Sequence, residues 1–266
     1  MDTGQVRRGE GRGHMEKDHR GRSPEEKRGA QKTYEEKVHD DREDLLQEPS
    51  AAETYLQDPE QFHPARDPRI PEGGGHTSEE YFALPDDLRV ELIDGVFYDM
   101  ASPARIHQVV SLEVAEQLDA CLKEHGEPCL LLIAPSDLVL GEDGRTVVQP
   151  DLYVFCGING ENTPWDRQRV PDFVVEILSQ SNPGNDLWRK RALYQRHGVR
   201  EYWIVDPHES RILVHLFDGK EEGVPPERYT FEDEVPIHIS GGSCRVDFTR
   251  LGGKLELLRK LEQELP

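Results

Sequence analysis

Residues 171–207 read PDFVVEILSQSNPGNDLWRKRALYQRHGVREYWIVDP. The stretch 173–178 is a nearly unbroken apolar run, as expected of a central strand covered on both faces. Pro183, Gly184 and Asn185 then turn the chain. A helix is expected from residue 186 to about 197, ended by Gly198. EYWIVD, residues 201–206, reads as the next strand. One residue does not suit this pattern: Glu176 sits inside the apolar run. A carboxylate in such a place is costly unless it is paired or holds a cation.

Working outward, RILVHLF (211–217) is expected to pair with EYWIVD through the turn PHES, and to offer an exposed edge. A polar loop, a strand at VPIHIS (235–240) and an amphipathic segment carrying Leu255, Leu258 and Leu261 close the chain. Toward the N-terminus lie two strand regions, TVVQPDLYVF (146–155) after the turn EDGR, and PCLLLIAPSDLVL (128–140). Before them a helix is expected from Ser102-Pro103 to about residue 125, with Val110, Val114, Leu118 and Cys121 or Leu122 as its apolar stripe. In RVELIDGVFYDM (89–100), Asp94-Gly95 between two apolar runs is the strongest short hairpin signal. Thr77 or Ser78 can cap a short helix, with Glu80 placed for a capping box. Helices fall between groups of strands. The fold class expected is therefore α/β or α+β, with one mixed central sheet flanked by helices and an N-terminal β-hairpin.

Composition divides the chain. Of 266 residues only 35% are hydrophobic, and residues 1–75 contain almost no apolar run. Residues 1–75 are expected to be a disordered charged tail and linker, and residues 76–266 one folded domain. The tail carries a net charge of −5 and the domain −16. Such a domain is a poor generic binder of polyanions, though acidic pockets attract Mg²⁺. Four scattered cysteines without a CxxC pair are expected to be reduced, buried thiols of a cytoplasmic protein. No apolar run is long enough to span a bilayer, and the charged N-terminus does not read as a secretory signal.

Four residues stand out chemically. Asp151 opens a strand after Pro150. Glu176 admits either a cation or a buried salt bridge, for instance to Lys190 or an arginine. Lys190 shares a helix face with Asp186 and Tyr194, and Arg189 and Arg191 make the turn around it basic. Glu91 pairs with Tyr98 if Asp94-Gly95 is the loop, which places a carboxylate on a largely apolar face. His107, at the start of the first long helix, is read as a capping or surface residue.

VELIDGVFYDMASPARIHQ, VVQPDLYVF, PDFVVEILS and NDLWRKRALYQRHGVREYWIVDP together resemble the Uma-two family of restriction-endonuclease-like proteins, in the PD-(D/E)XK nuclease superfamily. The resemblance runs over roughly residues 78–247. It implies a metal-dependent endonuclease core. Asp151, Glu176 and Glu91 would hold Mg²⁺ or Mn²⁺, with Glu91 completing the site or orienting a water, and Lys190 would be the catalytic amine. The superfamily pattern expects lysine two positions after the glutamate. Here that position is Leu178, and the amine moves to the following helix. The partner implied is nucleic acid, DNA first, with no membrane. A homodimer would suit cutting both strands of a duplex, and the edge RILVHLF could serve it. Two alternatives stand beside this: a catalytically inactive binding module on the same scaffold, and a metal-dependent phosphodiesterase acting on RNA or small substrates. Neither GxGxxG after a strand nor a Walker A loop is present.

Overall fold

The structure, a computed structural model, describes residues 64–264 apart from 101, 125–127, 160–162, 164–168, 180–188 and 218–224. Residues 1–63 of the tail and linker expected at 1–75 lie outside the described residues, as does the turn at 183–185.

The helix α1 (Ser78–Phe82), the hairpin strands β1 (Val90–Ile93) and β2 (Val96–Asp99), and α2 (Arg105–Glu124) come first. Strands β3 (Leu130–Ile133), β4 (Leu138–Val139), β5 (Val147–Val148), β6 (Leu152–Phe155) and β7 (Phe173–Ile177) follow. Then come α3 (Arg191–His197), β8 (Glu201–Asp206), β9 (Arg211–Leu216), β10 (Glu227–Thr230), β11 (Glu234–Ile237), β12 (Cys244–Asp247) and α4 (Leu251–Glu264).

The main sheet has the order β10-β9-β8-β7-β6-β3. The β7–β8 pair is parallel and its neighbours in this sheet are antiparallel, so the sheet is mixed as expected. A parallel pair needs a crossover, and α3 lies in it. This connection carries Lys190 toward the end of β7.

The hairpin has the expected register, Ile93 with Val96 and Glu91 with Tyr98. Asp94 and Gly95 take φ of 51° and 78°, the left-handed pair that a two-residue hairpin loop requires. The hairpin does not join the main sheet. It forms a second one, β2-β1-β5-β4. TVVQPDLYVF therefore serves both sheets: β5 pairs with β1, and β6 pairs with β3 and β7. The break falls at Gln149-Pro150, where proline cannot donate to a ladder. PCLLLIAPSDLVL is likewise divided at Ala134-Pro135 into β3 and β4.

Three expectations are corrected. RILVHLF is not the edge of the sheet: β10 pairs with it from Arg211 to Val214. Residues 64–75 are not simply linker. Ala65 N–H donates to the Phe97 carbonyl at 2.8 Å, and Ile70 is buried with Tyr81, Leu92 and Phe97. The cysteines are not free thiols. Cys129 pairs with Cys156, and Cys121 with Cys244. The β3–β6 register, Leu130 with Phe155, extends to place Cys129 opposite Cys156. Cys121 lies beside the α2 stripe, facing β12. The cytoplasmic expectation thus loses the support it drew from reduced thiols.

Alternation along β7 gives the sheet two faces. Phe173, Val175 and Ile177 join α2, β11, β12 and α4 in one core. Val174 and Leu178 join α3 and the second sheet in another. In α2 the expected stripe of Val110, Val114, Leu118 and Leu122 is buried.

Candidate active site

Glu176 lies between Val174 and Leu178 and so projects on their side of the sheet. Lys190, just before α3, sets its Nζ 2.9 Å from Glu176 Oε1 and 2.9 Å from Glu91 Oε1. One helical turn later, the Tyr194 hydroxyl donates to the same Glu176 oxygen at 2.7 Å. Burial and the nearby Glu176 carboxylate push the Tyr194 phenol well above its ordinary value, so it remains a donor. Glu91 also accepts the Gln149 backbone N–H at 2.8 Å. Glu91, Glu176 and Lys190 are exposed by 6%, 3% and 4%. Of the two readings of Glu176, the buried salt bridge to Lys190 is the one seen here, with a second carboxylate, Glu91, on the same ammonium.

Asp151 enters from the start of β6. Its Oδ2 accepts the Ile177 backbone N–H at 2.7 Å and lies 3.0 Å from His107 Nε2. His107 is buried, which corrects its reading as a capping or surface residue. The signal was present in the sequence. His107, Val110, Val114 and Leu118 follow helical spacing, so the residue continues the buried stripe. Tyr194 was placed on the lysine's face, but its bond to Glu176 had no sequence signal.

All four predicted residues line one pocket of about 550 Å³, with His107 and Arg189 beside them. The Arg189 guanidinium lies 3.6 Å from the Tyr98 ring centroid, a cation–π contact that holds a positive group at the wall. Among the described residues no three His, Cys, Asp or Glu side chains converge as a ready ligand set. The donors available are carboxylate oxygens, which suit a hard cation such as Mg²⁺; it takes one or two carboxylates and keeps several waters. Asp151 and Glu176 are two carboxylates that line this pocket.

The sequence profile of the Uma2 family, described as "Putative restriction endonuclease", matches residues 78–240. The chain belongs to the Uma2 family. It is therefore a restriction-endonuclease-like protein of a nuclease family. No curated protein matches it. Its fold is similar to the crystal structure of "a putative nuclease belonging to DUF820 from Anabaena variabilis ATCC 29413". The TM-score is 0.55 at 18% identity, over 67% of this chain and 98% of that one. Among the described residues no helix is long and apolar enough to cross a membrane.

In this Uma2 domain the departure at Leu178 has a physical cause. Leu178 lies on the Glu176 face but is 3% exposed, in a cluster with Leu193 and Val199. A lysine there would place its charge among apolar side chains. The ammonium beside Glu176 comes instead from Lys190, just before α3.

Proposed function

We propose that the domain is a divalent-metal-dependent endonuclease that hydrolyses nucleic-acid phosphodiester bonds, with DNA as substrate. One observation carries this reading: a buried lysine touches two carboxylates at the floor of a pocket that Asp151 also lines. Asp151 and Glu176 would hold Mg²⁺ or Mn²⁺. When bound, such an ion polarises a phosphoryl oxygen and lowers the pKa of a bound water. Lys190 sets its positive charge beside the scissile phosphate, where negative charge develops during in-line attack. Glu91 holds Lys190 in place, a role we prefer to that of metal ligand because its Oε1 already meets the ammonium and the Gln149 N–H. Tyr194 fixes Glu176. Arg189, seated on Tyr98, presents a cation to a neighbouring phosphate. Attack by water breaks the bond to the 3′ oxygen and leaves a 5′-phosphate.

One observation favours a second reading, the inactive module. Glu176 Oε1 is already engaged by Lys190 and Tyr194, as in a purely structural ion network. A single experiment separates the two. The purified chain is incubated with plasmid, oligonucleotide and RNA, with Mg²⁺ or Mn²⁺, and with chelator. Metal-dependent cleavage that chelator and Asp151→Asn both abolish is expected. Asn keeps an oxygen for the Ile177 N–H, so the variant's urea midpoint should stay close to the parent's. Absence of cleavage on every substrate with either metal overturns the proposal.

A further inference from the structure

We infer that His107 is a positioning residue that fixes the Asp151 carboxylate for its cation; the inference rests on the nuclease reading above. The Asp151 side chain is held through one oxygen. Oδ2 receives the Ile177 backbone N–H at 2.7 Å and faces His107 Nε2 at 3.0 Å. One hydrogen bond and one close imidazole contact meet on this oxygen and together set the plane of the carboxylate. Oδ1 is the oxygen that neither engages. A ligating carboxylate fixed by an outer hydrogen bond is oriented before the cation arrives, which is how outer partners raise metal affinity.

The imidazole itself points to this role. His107 is buried within the apolar stripe of α2, and its Nδ1 is buried with no hydrogen-bond partner. A proton on Nδ1 would make a buried donor with nothing to bond, which is costly. The proton therefore belongs on Nε2, where Asp151 Oδ2 accepts it. Packing alone gains nothing from a buried, unpaired nitrogen. The same ring gains from a bond that crosses from α2 to the start of β6. Ile177, the other donor, follows Glu176 directly on β7. The position of Asp151 is thus tied to both neighbours of the site, the strand carrying Glu176 and the helix beneath.

Two substitutions separate positioning from packing. In His107→Gln the amide nitrogen reaches the place of Nε2 and can still donate to Asp151. In His107→Asn it reaches only the place of Nδ1. The readout is Mn²⁺ affinity of the full chain by calorimetry, with Asp151→Asn as the control that loses binding. His107→Gln is expected within about 3-fold of the parent, and His107→Asn weaker by about 10- to 100-fold. Metal-free melting temperatures of the two variants should agree. Equal affinities in the two variants overturn the positioning role while leaving the nuclease reading intact. A parent that binds no Mn²⁺ overturns both. If His107→Asn does not fold, His107→Gln decides alone: near-parent affinity supports the role, and a loss above about 10-fold overturns it.

Discussion

Two buried carboxylates, one on each side of the main sheet, are handled in opposite ways. Glu113 on α2 is 1% exposed; Lys254 bonds its Oε2, Arg250 lies 3.3 Å from Oε1, and Gln117 donates to that oxygen at 2.8 Å. One carboxylate there meets two cations, and those cations are half-exposed side chains on the α4 side. Across the sheet, Glu176 and Glu91 both turn to the single buried ammonium of Lys190. The Glu113 cluster ties a helix to the core. The Glu91–Lys190–Glu176 cluster is net negative in a place where charge is costly, and it opens on a pocket. Buried negative charge beside open volume is the condition that favours a cation.

The largest effect should come from breaking that asymmetry. Lys190→Ala leaves two buried carboxylates facing each other. We expect loss of metal-dependent cleavage together with a stability loss of about 3–5 kcal/mol. Lys254→Ala leaves Arg250 beside Glu113, and its own ammonium is half exposed, so about 1 kcal/mol or less is expected. Urea unfolding of both variants measures the difference. Equal losses would erase the distinction between the two clusters.

The two faces also differ in what holds them. Both disulfides belong to the α2 side, at the margin of the core formed by Val110, Phe173 and Trp203. The Cys121–Cys244 bridge closes a span of 123 residues. Its replacement by two alanines should cost about 2–5 kcal/mol. Cleavage at a temperature where the variant remains folded should be unchanged. A fall in cleavage without a fall in stability would mean that this side of the sheet also sets the site.

These contrasts also explain what could be read from the sequence. The hairpin was legible because Asp94-Gly95 fixes its register, and β7 because both of its faces are buried. The meeting of Glu176 and Lys190 was legible because Glu176 violates an apolar run and the family resemblance points to Lys190 as its partner amine. Strands β10 (ERYT) and β12 (CRVD) escaped because they are short and carry charges. The division of two apolar segments between two sheets escaped because it depends on Pro135 and Pro150 rather than on periodicity. Disulfide partners need the register of β3 on β6 and the seating of β12 on α2. No composition argument supplies those. His107 was misread because its own type suggested a surface, while the spacing of its neighbours implied burial.

The effect spread over the widest range of conditions tests whether the α3 side of the sheet tolerates charge away from the site. His215 on β9 stacks with Tyr202 and Phe217, at centroid distances of 5.9 and 6.0 Å. Arg191 Nε donates to its Nδ1 at 3.2 Å. Burial, and then the Arg191 charge, lower its pKa from 6.5 to about 3. Above pH 6.5 the ring is neutral in both folded and unfolded chains, and the stability contribution is complete. Between pH 6.5 and 3 the unfolded chain takes up a proton that the folded one refuses, so stability falls as pH falls, by about 1 kcal/mol per pH unit. Buried Glu201, on the α2 side, works in the opposite sense, because burial raises its pKa. The parent curve therefore mixes the two, and only a difference isolates His215. His215→Phe keeps the aromatic stack and removes the titration. Urea unfolding of both proteins from pH 7 to 4 should give a parent-minus-variant difference that levels off above pH 6.5 and shifts steadily against the parent below it. Parallel curves would mean that the ring accepts its proton in place, and that this end of the sheet, unlike the Lys190 pocket, is open to water.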